Sequence, residues 1–516
     1  MYSFLAGALL GAPWVLSFAP ISLWWLGLLL LAVLPFVALK TSRPWLTGLA
    51  FGWSAYGLGV SWLHISLHTY GGLPSVLAWA AIAAFTLYLA LFPALALWFY
   101  SRFAAVRAQS WPGTVFNALL WAALWTFFEW ARGTFMTGFA WLGLGDALVD
   151  SPFTDLLPWL GSYGSLFAVM LFAHLFLSFV FNRLPGNLLG ATAVLGGLLV
   201  LVQLPVNTQS AGALTVVGVQ TNVDQSIKFD PDLIVSNMQK AFALGDMAKE
   251  QLANQGGGLL VFPETVNPLV WTDTPVEWRT TFRDFATPGE TAVIMGSAIQ
   301  EGSRYFNSIV MFQGDEALEA LEVPETRHDK RHLVPFGEFI PLGFKWFVAM
   351  LNMPMGEFTS GSGPLKPFLV NGNALASTVC YEDIFSGEFA GLVANSTQEP
   401  SMFVNLSNLA WFGQSWALDQ HAQMGRTRSA EHRKPGLRVT NTGVSGIVNA
   451  NGQWTQRVEP GQALVWSGQI EGRLGQTFFA KWGDRLWFSI WGAVLLLLCV
   501  REWRLRAYNR AHSINP

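Results

Sequence analysis

The chain has 516 residues, of which 52% are hydrophobic and only 12% carry a charged side chain. Ordinary globular chains carry about 25% charged residues, so this composition excludes an ordinary water-soluble protein and indicates a bilayer. The net charge of −3 and the lack of a long basic run give no basis for nucleic-acid binding.

Eight apolar segments are predicted to span a membrane, because a spanning helix needs roughly 20 apolar residues. They cover residues 3–19, 22–39, 45–65, 74–100, 112–132, 161–182, 187–205 and 484–500. The first segment has no basic residue before it, which favours a retained helix over a cleaved signal peptide. The predicted domains are therefore a seven-helix transmembrane domain (1–205), a mixed domain (206–483), and the eighth helix with a basic tail (484–516).

The connectors predict how these helices are oriented, because Lys and Arg concentrate on the cytoplasmic side of a membrane. Cytoplasmic N- and C-termini fit four basic sites, and only Arg132 disagrees. The four sites are Lys40 with Arg43, Arg102 with Arg107, Arg183, and the tail from Arg501 to Arg510. The mixed domain is then expected outside the cytoplasm.

Strand-like and helix-like segments alternate in the mixed domain, which predicts a layered α/β fold. Strands are predicted at 214–220, 258–262, 292–296, 308–312, 376–380 and 402–405, and a long helix at 232–251. A Gly- and Pro-edged loop, 343–363, carries large apolar side chains that include Trp346, Phe347 and Met353. Beside a bilayer such a loop is expected to contact lipid and to act as a gate.

Three side chains stand out as candidates for chemistry. Glu264 ends the run GLLVFPE, Lys330 stands in HDKRHLVPFGEF, and Cys380 ends ASTVC. Sites in α/β domains are usually built at the carboxyl ends of strands. A Cys thiolate, a carboxylate that takes its proton and an ammonium that stabilises an oxyanion form a workable set. Each also has an ordinary structural explanation: a surface carboxylate, a solvated charge and a small buried thiol.

The order and context of these residues resemble the carbon–nitrogen hydrolase (nitrilase) superfamily, whose members use a Glu–Lys–Cys triad. The matching stretches are VGVQTNVDQSIKFDP (217–231), VFPET (261–265), DKRHLVPFGEFIP (329–341), TVCYEDIF (378–385), SNLAWFGQS (407–415) and RVTNTGVSGIV (438–448). With its eight predicted helices the chain resembles a membrane branch of that superfamily, the bacterial apolipoprotein N-acyltransferases. The resemblance implies an αββα sandwich for the mixed domain.

The resemblance also implies residue roles. The family's base, lysine and nucleophile fall on the three candidates above. A second glutamate falls on Glu338, where it would support the lysine or the transition state. Tyr381 and Glu382, which follow the nucleophile, would shape the site, although structural support explains them equally well.

Other positions bear on recognition rather than chemistry. Trp411, in the family's NxAWF turn, either lines the cleft or packs the domain. Phe229 stands where many members have Trp, and Leu409 stands where Asp is frequent, so details of substrate recognition differ. His328 and His332 are spaced i, i+4 but lack convergent ligands, so no metal site is predicted. No glycine-rich phosphate loop follows a strand, so no cofactor is predicted.

The function implied by the resemblance is transfer of a fatty acyl chain from a membrane phospholipid through a Cys380 thioester. The donor would be the sn-1 chain of phosphatidylethanolamine, and the acceptor the α-amino group of an apolipoprotein's N-terminal diacylglyceryl-cysteine. The expected location is the bacterial inner membrane, among membrane lipids, with the catalytic domain periplasmic and the protein monomeric.

Two other functions stay open. A membrane-anchored amidase or nitrilase would share the triad but leaves the seven preceding helices unexplained. A non-enzymatic transporter or sensor would need ionisable residues within its helices, and Glu129 and His174 are the main candidates.

Overall fold

The computed structural model describes residues 1–104, 110–313, 324, 326–350 and 357–512, with only the backbone of Cys499 and of 501–512. The chain forms two compact units. The first consists of Met1–Gly59, Ala83–Pro205 and Trp482–Pro516, and the second of Val60–Ile82 and Val206–Lys481. The second unit thus includes a segment, Val60–Ile82, that the sequence analysis treats as part of the helical region.

The described residues contain sixteen α-helices, numbered in chain order. They are α1 (Tyr2–Gly11), α2 (Trp24–Leu39), α3 (Pro44–Gly59), α4 (Ser75–Phe103), α5 (Trp111–Arg132), α6 (Leu144–Ala147), α7 (Leu157–Asn182), α8 (Pro185–Gln203), α9 (Gln225–Lys228), α10 (Ile234–Ala253), α11 (Val276–Asp284), α12 (Lys345–Val348), α13 (Ser386–Ala394), α14 (Ala417–His432), α15 (Phe478–Trp482) and α16 (Arg485–His512).

The first unit is helical, and a helix lies at each of the eight predicted apolar segments. Within the described residues, three helices are long and apolar enough to cross a membrane: α4, the stretch Thr154–Asn182 that contains α7, and α8. Shorter apolar helices cover Tyr2–Ser17, Trp24–Leu39 and Arg485–Leu498. The predicted helix at 3–19 is interrupted, because α1 gives way to a 3₁₀ turn at Ala12–Ser17 that contains Pro13. Proline removes a backbone donor and disrupts a regular α-helix.

The second unit contains twelve strands in its described part. They are β1 (Gln209–Gln220), β2 (Gly258–Val261), β3 (Thr291–Glu301), β4 (Arg304–Phe312), β5 (Arg327–Asp329), β6 (Phe368–Val370), β7 (Asn373–Val379), β8 (Met402–Ser407), β9 (Gly436–Thr440), β10 (Ser445–Val448), β11 (Trp454–Val458) and β12 (Leu464–Leu474). They form two six-stranded sheets, ordered β12-β1-β2-β3-β4-β5 and β11-β10-β9-β8-β7-β6.

The two sheets pack face to face, with helices outside them. One buried cluster joins side chains of both sheets, among them Val216 and Ile294 from the first and Leu375 and Val404 from the second. A separate cluster packs α10 and α11 against the outer face of the first sheet, and α13 covers the second through Phe389 and neighbours. The predicted layered α/β domain is confirmed.

Parallel pairing brings several strand ends to the same side of each sheet. Strands β1, β2 and β3 run parallel to one another, as do β7, β8 and β9. Glu264 follows β2 and Cys380 follows β7, each at a carboxyl end. Gly296 on β3 allows the backbone at Glu264 to pack closely against β3, because a Cβ there would lie 2.6 Å from the Glu264 Cα.

The segment Val60–Ile82 packs against the turn that follows β8. The Ser66 hydroxyl donates to the Trp411 carbonyl at 2.7 Å, and the Tyr70 and Trp411 rings meet edge to face with centroids 5.9 Å apart. The Trp62 ring contacts Phe412 at 4.5 Å. Aromatic residues that would suit a membrane interface are used here to complete the second unit.

Candidate active site

Glu264 is buried just beyond β2, and both of its carboxylate oxygens accept hydrogen bonds. Oε1 accepts from the Asn307 side chain at 2.8 Å, and Oε2 accepts from the backbone N–H of Asn408 at 2.6 Å. The backbone carbonyl of Glu264 lies 3.4 Å from Lys228 Nζ. The carboxylate is therefore held in one orientation and is largely shielded from bulk water.

Lys330 follows β5 and is 1% exposed. Its Nζ donates to Glu338 Oε1 at 2.9 Å and lies 3.6 Å from Glu264 Oε1. Burial opposes the charge of this ammonium, but the two carboxylates outweigh burial and raise the pKa of Lys330. The side chain is thus a fixed cation at neutral pH, and a buried cation without partners would be prohibitively costly.

Glu338 completes this charged group. Its Oε1 also accepts from the Asn307 side chain at 2.7 Å, and its Oε2 accepts from the Val334 backbone at 2.8 Å. The single amide of Asn307 therefore bridges both carboxylates, Glu264 and Glu338, with Lys330 between them.

Cys380 lies directly after β7 with φ at 50°, in the left-handed region that non-glycine residues seldom adopt. Strained backbone of this kind is typical of functional sites. Burial raises the pKa of the thiol, as do the Glu264 and Glu338 charges, while Lys330 and the Asn408 N–H oppose the shift. The resting side chain is a neutral thiol that must lose its proton when it attacks.

Glu382 accepts hydrogen bonds from backbone next to Cys380 and from backbone next to Lys330. Its Oε2 accepts from the Val379 N–H at 2.6 Å, and its Oε1 accepts from the Arg331 N–H at 2.8 Å. Oε2 also lies 3.2 Å from His328 Nε2. Burial opposes ionisation here, but His328 and the two backbone donors outweigh it and lower the pKa of Glu382.

The neighbours of this group do not share one role. Tyr381 is buried and packs its ring against Phe385 at 5.0 Å. The His332 ring stacks on Phe385 with centroids 3.7 Å apart, and it hydrogen-bonds to Glu388 at 2.8 Å. It does not share the partner of His328, which is Glu382. Both rings, those of Tyr381 and His332, therefore pack around Phe385.

The candidate lipid contacts divide between exposed and packed side chains. Phe229 is 38% exposed and Trp346 is 63% exposed. Phe347 instead packs with Leu73 and Ala78 of the second unit, and Trp411 is held through its carbonyl and ring as described above. Met353 lies outside the described residues.

Leu409 is buried in the core between the sheets. The apolar residue at a position that often carries Asp therefore serves packing here, and it leaves the charged group unchanged.

Several candidate functional residues were not predicted from the sequence. Asn307 lies in the middle of the YFNSIV strand, where nothing marks it as functional. Asn408 acts through its backbone, which no side-chain pattern reveals. Lys228 is buried beside Glu264, and burial lowers its pKa to about 8 although the Glu264 charge opposes that shift. The sequence feature that could have indicated Lys228 is its position next to Phe229, inside the matched stretch 217–231.

Comparison with known proteins places the chain among proteins of the same architecture. Residues 10–175 match the model of the apolipoprotein N-acyltransferase N-terminal domain, and residues 219–471 match that of the carbon–nitrogen hydrolases. Full-length relatives agree with both matches.

A protein of Ralstonia nicotianae named apolipoprotein N-acyltransferase is 36% identical, over 97% of this chain and 93% of its own. Proteins with that name from Bordetella bronchiseptica and Nitrosomonas europaea are 33% and 32% identical, each over 96% of both chains. Similarity of this extent covers the helical and the sheet-containing parts together. The chain therefore belongs to the apolipoprotein N-acyltransferase family.

Proposed function

We propose that this protein is an acyltransferase that moves a fatty acyl chain from a phospholipid to the N-terminal amine of an apolipoprotein, with Cys380 as nucleophile. The observation that carries the proposal is Lys330, buried between Glu264 and Glu338 beside a thiol on a strained strand end. The names of the relatives support the acceptor and the reaction class.

The first half-reaction forms a thioester. Cys380 Sγ attacks an ester carbonyl of the phospholipid while Glu264 takes the thiol proton, since the raised pKa of the thiol disfavours a free thiolate. The carbonyl oxygen gains negative charge, which the Lys330 ammonium stabilises. The ester C–O bond then breaks, and Glu264 returns the proton to the departing lysophospholipid hydroxyl.

The second half-reaction releases the acyl chain as an amide. The free α-amino group of a diacylglyceryl-cysteine attacks the thioester carbonyl, and Glu264 accepts a proton from that amine. The C–S bond breaks, and the proton goes to the Cys380 sulfur. No net proton or electron is consumed, so the charged group returns to its starting state.

Discrimination against water is essential to this scheme, because hydrolysis would waste the acyl chain. Glu264, Lys330 and Glu338 are all buried, which supports a site from which bulk water is excluded. Lipid-anchored substrates fit such a site, because diffusion within the bilayer delivers both of them. We take phosphatidylethanolamine, through its sn-1 chain, as the donor.

The membrane arrangement is part of the proposal. All eight apolar segments cross a bacterial inner membrane, with both termini cytoplasmic and residues 206–483 on the periplasmic side. The positive charges of the connectors support that orientation. The apolar helices of the first unit support a multi-pass membrane protein. We take it to work as a monomer among membrane lipids.

The test is intact-protein mass spectrometry after incubation with phosphatidylethanolamine. Wild type should gain the mass of one fatty acyl chain, labile to hydroxylamine, and Cys380→Ser should gain no adduct with that lability. Cys499→Ser is the matched control, because the chain has two cysteines, and it should acylate like wild type. A diacylated lipopeptide should then discharge the adduct.

A folded wild type that forms no adduct with accessible phospholipid contradicts the proposed donor. Turnover of small amides by the same preparation, abolished by Cys380→Ser, would point instead to an amidase or nitrilase.

A further inference from the structure

A second buried group lies at the backbone carbonyl of Cys380. His421 of α14 places Nε2 3.0 Å from the Cys380 carbonyl oxygen. The Asn405 side chain of β8 lies 3.3 Å from that oxygen. The mechanism proposed above uses neither of them.

The protonation state of His421 follows from its other neighbour. Arg438 Nη2 on β9 lies 2.7 Å from His421 Nδ1. A guanidinium can only donate, so Nδ1 must accept, and the imidazole proton resides on Nε2. Burial, together with the Arg438 charge, holds the pKa of His421 well below its ordinary value. The ring is a neutral donor to the Cys380 carbonyl.

Arg438 is itself anchored. Its Nη1 pairs with the Asp383 carboxylate, and Asp383 accepts from the Thr378 hydroxyl at 2.7 Å. Thr378 belongs to β7, the strand that Cys380 directly follows. The chain of contacts therefore runs from β7 through Asp383, Arg438 and His421 back to the cysteine backbone.

These contacts bear on the backbone conformation of the nucleophile, Cys380. Cys380 has φ at 50°, a conformation that a cysteine leaves readily unless its surroundings hold it. Fixing the carbonyl fixes the direction of the Cα–Cβ bond, from which Sγ extends. Small misplacements of a nucleophile cost much of the rate advantage that a preorganised site provides.

We propose that His421 is a positioning residue, which holds the Cys380 backbone in its left-handed conformation and so directs the thiol toward the substrate carbonyl. This inference rests on the proposed nucleophilic role of Cys380. It assigns no chemical step to His421, which keeps its proton throughout the reaction.

The test compares His421→Leu with His421→Gln. Leucine removes both polar contacts, whereas the glutamine amide can donate to the Cys380 carbonyl and accept from Arg438. At saturating phosphatidylethanolamine, H421L should form the acyl-enzyme about 10- to 100-fold more slowly, as expected for a lost buried donor. Its KM should stay within about twofold, and H421Q should recover most of the rate.

The matched control is His432→Leu. His432 lies on the same helix, is equally buried, and packs against the Phe389 and Phe403 rings at 5.4 Å. H432L should lower the melting temperature while the acylation rate of the folded protein stays near wild type. If H421L does not fold, His421→Asn, which keeps an amide but is too short for both contacts, replaces it.

Alkylation of Cys380 by iodoacetamide supplies a readout that needs no lipid. H421L should react at a clearly different rate at a given pH, because a displaced sulfur changes its distances to Glu264, Lys330 and the Asn408 N–H, which shift the pKa of the thiol in opposite directions. Wild-type rates in H421L for both acylation and alkylation, or an equal loss of rate in H432L, would overturn the inference. A wild type that alkylates normally but never acylates refutes the proposed donor, and the alkylation series still decides the role of His421.

Discussion

The charged group around Cys380 and the apolar arm, which we define as residues 342–350, are built on opposite principles. In the charged group every named carboxylate and ammonium is buried and hydrogen-bonded, and Lys330 is 1% exposed. In the apolar arm Leu342 is fully exposed and Trp346 is 63% exposed.

The contrast indicates that the charged group serves the reaction and that the apolar arm serves the entry of lipid. Charges that must act at one atom are fixed before a substrate arrives, since reorganising them during the reaction would cost rate. Large apolar side chains that face outward gain their stabilisation only when something apolar covers them. Changes in the charged group should therefore affect the rate at saturation, and changes in the arm should affect apparent lipid affinity.

The largest effect is expected for Glu264→Gln, which removes the proposed base. Acyl-enzyme formation should fall by about 10²- to 10⁴-fold, the usual contribution of a general base. Because the Glu264 charge raises the pKa of the Cys380 thiol, the variant should lower that pKa. Its thiolate then appears at lower pH, and iodoacetamide alkylation should reach its half-maximal rate at lower pH than in wild type.

The exposed Glu277→Gln on α11 is the control and should leave both profiles unchanged. Retained acylation in E264Q, or an alkylation profile moved to higher pH, would contradict the assignment of Glu264 as base.

An intermediate effect is expected for Glu382→Gln. The amide offers one acceptor where the carboxylate serves Val379, Arg331 and His328, so a buried donor is left without a partner. Unfolding free energy should fall by about 1–3 kcal/mol, and the acylation rate should fall with it. Chemical denaturation at neutral pH measures the first effect.

The pH dependence of that stability has a defined sign. The lowered pKa of Glu382 in the folded protein contributes stability that is fully present above the ordinary carboxyl range and is lost as pH falls through the folded-state pKa. E382Q should flatten the acid side of the stability profile. Glu388→Gln, whose carboxylate is exposed, is the control and should change stability by less than about 0.5 kcal/mol; equal losses in both variants would argue against a special role for Glu382.

The smallest effect is expected for Leu342→Ser combined with Trp346→Ser in the apolar arm. Partial burial of such side chains against lipid is worth about 1 kcal/mol, so apparent KM for phospholipid should rise about 3- to 10-fold. The rate at saturation should change little. Val235→Ser with Val276→Ser removes two exposed apolar side chains from α10 and α11 and should leave KM unchanged.

Much of the charged group could be predicted from the sequence, because its residues follow recognisable buried strands. GLLVF and ASTV are apolar runs bounded by polar residues, and Glu264 and Cys380 stand where such runs end. The matched family stretches then added Glu338, which no strand end indicates.

The supporting residues could not be predicted, for physical reasons. Asn307 is a polar residue inside a buried strand, and periodicity does not reveal which partner satisfies it. His421 reaches Cys380 from a helix 41 residues away, so only the packing of α14 on the sheet brings them together. The place of Val60–Ile82 was hidden because its aromatic residues suit a bilayer surface as well as a protein interface.

That early segment has a consequence for how the protein is made. Residues 60–82 leave the ribosome long before β8 and the turn at Trp411 exist, so their partners are absent while residues 83–205 are being synthesised. Contacts so distant in sequence must form late, after a large loop has been closed. Completion of the NxAWF turn, whose Asn408 N–H holds the Glu264 carboxylate, therefore belongs to the last stage of biogenesis.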